Sequence, residues 1–84
     1  MNLFSASWKM NKAQIEKEKQ NFYKAIRRRN KEETLKSYQK IQMTFSEIPM
    51  SLANFIQKWT VNNYKKKTLA ELKSVMSKKR WLND

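Results

Sequence analysis

The chain has 84 residues, 19 lysines and arginines against seven acids for a net charge of +12, and no histidine, cysteine or glycine. These numbers allow one domain at most and exclude disulfides, zinc fingers, cysteine nucleophiles and the common transition-metal sites. The charge points to a polyanionic partner: nucleic acid, an anionic membrane surface or an acidic protein.

Glycine is missing and Pro49 is the only proline, so the tight turns of a β-rich fold have no residue at ease with positive φ. Helical periodicity takes their place. The expected fold class is all-α: a small bundle of three to four helices built on an antiparallel helical hairpin, over residues 1–84 as one domain.

The first helix is expected over about 11–29. Phe4, Trp8, Ile15, Phe22 and Ile26 fall within about 40° of one another on a helical wheel. Asn11 with Gln14 is the candidate start, and the basic run Arg27-Arg28-Arg29 suits a helix C-terminus. Asn30 and Glu33 have the spacing of a capping box and open the second helix, about 31–48, with Leu35, Tyr38, Ile41, Phe45 and Ile48 inward. Pro49 ends it.

Ser51 is expected to cap a third, short helix over 51–60 with Leu52, Phe55, Ile56 and Trp59 on one face. Thr60-Val61-Asn62-Asn63 lowers helix propensity and reads as a turn. Thr68 with Glu71 forms the second candidate capping box and starts a fourth helix, about 69–81, with Leu69, Leu72, Val75 and Met76 inward. Trp81 and Leu82 close the core. Each helix is too short to stand alone in water, so packing must hold them.

Nothing supports an enzyme. Neither a Gly-rich phosphate loop nor a histidine or cysteine is present. The pairs Glu16/Glu18 and Glu32/Glu33 do not share a helix face. No metal or cofactor is expected.

Three basic clusters carry the functional reading: Arg27-Arg28-Arg29, Lys65-Lys66-Lys67 and Lys78-Lys79-Arg80, with Lys58 beside them. The first and third are explained as helix C-termini by the macrodipole. The middle one sits just before the Thr68 cap, where the dipole disfavours cations and free N–H groups favour an anion. It is therefore the expected contact site, with Tyr64 beside it as a base-stacking residue. Trp8, Tyr23 and Trp81 are the other aromatics without a firm core assignment; aromatics at helical spacing are usually core.

Two local patterns bear on fold. Asn21 to Pro49 looks faintly like one tetratricopeptide unit, but one unit cannot make a solenoid and an ordinary helical hairpin is the favoured reading. Leu52–Leu72 partly matches a helix-turn-helix around Thr60, which stands where that motif usually has glycine, while Lys66 replaces an apolar anchor.

Ser7-Trp8-Lys9, then Lys24-Ala25-Ile26-Arg27 and Lys31-Glu32-Glu33, is similar to the small epsilon subunit of mitochondrial ATP synthases. The similarity covers about a third of the chain, and Lys12 and Ile15 stand where that family has glycine and tyrosine. It implies an accessory subunit docked in a larger complex.

The expected function is non-enzymatic nucleic-acid binding, DNA before RNA, by a basic helical surface making mainly phosphate contacts. The alternative is a small interaction or inhibitor protein docking on an acidic partner. One continuous basic face would favour the first; lysines around an exposed apolar patch would favour the second. A homodimer is allowed by either. No apolar run reaches the roughly 18 residues of a membrane span, and Ser5, Ser7, Lys9 and Asn11 interrupt the N-terminus where a secretory signal would be apolar. The expected compartment is the cytoplasm, or an organelle matrix in a eukaryote.

Overall fold

The apolar stripe of the first segment forms one helix, longer than its polar signals suggest. The computed structural model describes residues 3–84: α1 (Leu3–Arg27), α2 (Lys31–Ser46), a 3-10 turn (Met50–Leu52), α3 (Phe55–Ser77) and α4 (Arg80–Asn83), with no strand among the described residues. The all-α class and the helical hairpin are as expected.

α1 does not start at Asn11. That residue lies mid-helix, where its amide donates to Ser7 Oγ at 3.1 Å. Phe4 packs into the core together with Ile15 and Phe22, so burial of the first turn extends the helix past a weak cap signal. At its other end Arg29 adopts φ 53°. Asn30 N–H then reaches Ala25 O at 3.0 Å and Arg29 N–H reaches Ile26 O at 3.1 Å, the paired bonds of a Schellman motif. Asn30 caps α2 as the spacing predicts, its Oδ1 accepting from Glu33 N–H at 3.0 Å.

On α2 the buried face is Thr34, Ser37, Ile41, Thr44 and Phe45. Leu35, expected inward, is exposed. The backbones of α1 and α2 lie close along their length, and the small Thr34 and Ser37 with Ala25 permit that approach. Leu35, one residue on from Thr34, therefore points about 100° away. The Thr34 and Thr44 hydroxyls donate to the carbonyls of Asn30 at 2.7 Å and Lys40 at 2.9 Å, so neither arrives in the interface unsatisfied. α2 stops at Ser46 and Pro49 opens the 3-10 turn.

The largest correction concerns residues 51–81. The expected short helix, turn and second helix are one continuous α3. Asn54 caps it, with Asn54 Oδ1 accepting from Gln57 N–H at 2.8 Å and Gln57 Oε1 from Asn54 N–H at 2.9 Å. This capping box was as visible in the spacing as the Thr68/Glu71 pair. Thr68 is instead buried in mid-helix. Val61 is also buried and Tyr64 packs against the core, so tertiary contacts override the poor propensity of Thr60–Asn63. With no turn at Thr60, there is no helix-turn-helix.

α3 runs parallel to α1. Gln57 Nε2 donates to Ser5 Oγ at 3.4 Å near one end, and Tyr23 Oη donates to Glu71 near the other. The result is an up-down-up rod of 44 × 17 × 14 Å. Its radius of gyration of 14.1 Å exceeds the roughly 12 Å of a spherical domain of this length.

Candidate functional site

Three parallel or antiparallel helices of 25, 16 and 23 residues bring distant chain segments to the same end. α1 finishes at Arg27, the hairpin turns through Arg28–Asn30, and α3 finishes at Ser77. Lys31 Nζ donates to the backbone oxygen of Asp84 at 2.9 Å, which places residue 84 against the start of α2. The first and third basic clusters therefore meet. Arg27 and Arg29 line one side of a cleft of about 520 Å³, and Lys78, Lys79 and Arg80 line the other. Ile26 and Trp81 contribute its apolar wall, and among the described residues Asp84 is the single acidic one lining it. Leu82, buried beside it, anchors α4 to the bundle. Arg28 points elsewhere, into a polar groove of about 200 Å³ between α1 and α2 with Lys24, Lys36 and Lys40.

Both α1 and α3 direct their negative dipole ends at this cleft, which gives its cations a structural role of a few tenths to about 1 kcal/mol each. That role does not account for Arg29. Its left-handed backbone costs a residue with a Cβ about 1–2 kcal/mol, a position normally filled by glycine or asparagine. Non-glycine residues held in this region cluster at functional sites.

No protein-family model, curated protein or solved structure matches the chain. The likeness to the epsilon subunit accordingly remains a local one, and function has to be argued from the geometry.

The expected hotspot at Tyr64–Lys67 is not a loop. Lys65, Lys66 and Lys67 lie in the middle of α3, where every N–H is committed to the helix and the dipole has no end to present. Successive residues also point about 100° apart, so the three ammonium groups fan out instead of forming one patch. Lys65 and Lys66 face the outer side of α3, away from the cleft, and Lys58 is exposed near the start of the same helix.

Tyr64 is packed, not presented. Its ring meets Trp8 edge-on at 5.5 Å and Phe45 at 5.9 Å. Its hydroxyl donates to Glu16, and Lys12 Nζ sits 5.3 Å from its centroid. Burial, then the hydrogen bond and charge of Glu16, push its phenol well above the ordinary value. Tyr23 is placed in the same manner, donating to Glu71, with its phenol pushed up to about 12 by burial and then by Glu71. Lys19 bridges the two carboxylates, 3.9 Å from Glu16 and 3.6 Å from Glu71. These groups form the α1–α3 clamp.

The convergence of the outer clusters was not anticipated. The signal was present in the lengths: with a single α3 as long as α1, an up-down-up path must return residue 78 to the hairpin tip.

Proposed function

We propose that the protein is a non-enzymatic nucleic-acid-binding module that grips phosphates at the hairpin end of the rod. The observation that carries this reading is the meeting of Arg27 and Arg29 with Lys78, Lys79 and Arg80 around one cleft, from segments about 50 residues apart in the chain. Five cations against one carboxylate make a focused positive field at one end of a molecule already at +12. Arg29, kept in a conformation that glycine would hold at less cost, supports a role beyond capping. The contacts are to backbone phosphate, so sequence preference is weak.

Duplex DNA is the probe. With about five phosphates neutralised, log affinity falls against log salt with a slope near −4 to −5. The triple variant Arg27→Gln, Arg29→Gln, Arg80→Gln removes exposed cations only and should bind far more weakly than Lys65→Gln, Lys66→Gln, Lys67→Gln, which removes the same charge. A gel-shift titration with no shift at micromolar protein, or an affinity unmoved by salt, defeats the reading. Equal losses from the two triples would show that net charge alone matters.

A second reading, docking on an acidic protein, is favoured by a different surface on the outer side of α3.

A further inference from the structure

α3 carries two apolar stripes in different phases. Val61, Thr68 and Leu72 face the core. Phe55, Ile56 and Trp59 lie about 120°, 140° and 160° around the helix from Val61. Phe55 is 83% exposed, Ile56 72% and Trp59 63%. Leu52, from the preceding turn, is exposed as well. Leaving Phe, Ile and Trp in water forgoes the gain of burying three large apolar side chains, and adjacent exposed apolar groups of this size mark an interaction surface.

The stripe leads into a groove of about 680 Å³ running along the same face, from Trp59 past Asn62, Asn63 and Lys66 to Lys73. From Phe55 to Lys73 the face is about 27 Å long, the length of a helix of about 18 residues. No acid lines the groove.

We propose that this outer face of α3 seats an acidic amphipathic helix of another protein. Phe55, Ile56 and Trp59 are the aromatic and aliphatic anchors, and Lys66 and Lys73 pair with its carboxylates. Helix-in-groove recognition uses this combination, and buried tryptophan is a frequent energetic centre of such interfaces. Charge argues against a second copy, since each chain carries +12 and would bring lysine against lysine. The Asn62 and Asn63 amides argue against a bilayer, where hydrocarbon would leave them without partners. The face lies on the flank of α3, with its apolar anchors at the opposite end from the basic cleft, so this inference does not rest on the nucleic-acid reading.

The test uses the full chain and a labelled synthetic peptide of about 18 residues, with leucine at i, i+3, i+4 and i+7 spacing and glutamate elsewhere. Fluorescence anisotropy should give micromolar binding, with a scrambled peptide of identical composition at least about tenfold weaker. The double variant Phe55→Ala, Trp59→Ala alters exposed side chains only, so circular dichroism should be unchanged while peptide affinity drops about tenfold or more. The Arg27→Gln, Arg29→Gln, Arg80→Gln variant should keep most of its peptide binding. Equal affinity for the scrambled peptide, or undiminished binding by the double variant, overturns the proposal. Two further results would overturn it by assigning the face to another occupant. One is binding to phosphatidylserine vesicles that depends on Trp59 while the peptide does not bind. The other is a dimer in sedimentation equilibrium that the double variant abolishes.

Discussion

α1 meets α2 through small residues and a buried apolar core, and meets α3 through aromatic rings and paired charges. The first contact brings Ala25, Thr34 and Ser37 between closely spaced backbones, with Ile15, Phe22, Ile41 and Phe45 fully or almost fully buried. In the second, the backbones stand further apart, and the gap is bridged by Trp8 against Tyr64, Tyr64 to Glu16, Tyr23 to Glu71 and Lys19 between both carboxylates. Dense apolar burial holds the hairpin, while directional polar contacts set the register of α3 upon it. The two helix pairs should therefore respond differently to the same insult.

The largest effect belongs to the hairpin. Phe22→Ala should cost about 3–5 kcal/mol, a large part of the stability of a domain this small, and abolish cooperative melting. Leu72→Ala on α3 should cost about 2–4 kcal/mol and leave more residual helix in circular dichroism. Identical melts for both variants would break the distinction between the two interfaces.

A smaller effect, of opposite sign, is expected at the hairpin tip. Arg29→Gly relieves the left-handed backbone and should raise stability by about 1 kcal/mol, net of the greater entropy of an unfolded glycine. The same change should weaken DNA binding. A variant that melts higher and binds equally well would reduce Arg29 to an accident of the turn.

The smallest effect is confined to the α3 clamp, because Glu16 and Glu71 are half-exposed and solvent screens them. Tyr23 holds its proton more tightly folded than unfolded. The stability it lends is complete below pH 10 and is lost as pH climbs from 10 toward about 12. Tyr64 acts in the same direction. Tyr23→Phe should flatten the alkaline decline in denaturant midpoint, and an unchanged decline would show that the clamp adds nothing.

The hairpin was legible because its signals agree: the stripe Phe4–Ile26, the basic end of α1, the Asn30 cap and the stop near Pro49 all describe the same two helices. α3 was not, because its signals conflict. Thr60–Asn63 looks like a break, and Phe55, Ile56 and Trp59 look like core. An apolar stripe reports which residues share a face, but not whether that face is covered. Continuity through Val61 decided both points, and no local rule contains it. The candidate site failed to show for the same reason. Arg27 and Lys78 become neighbours only once α3 is known to be unbroken and to run parallel to α1.

The clamp pairs join residues 48 positions apart, whereas the hairpin contacts bridge a three-residue turn. Closing the longer loop is entropically dearer, so the α1–α2 contacts cost less to close than the α1–α3 clamp. α3 therefore holds its place at the larger entropic cost. Its release exposes Val61 and Leu72 but leaves the small-residue seam of α1 and α2 closed, which makes partial opening of this helix a lower-energy excursion than global unfolding. The stretch that displays Phe55 and Trp59 thus belongs to the most readily released third of the molecule.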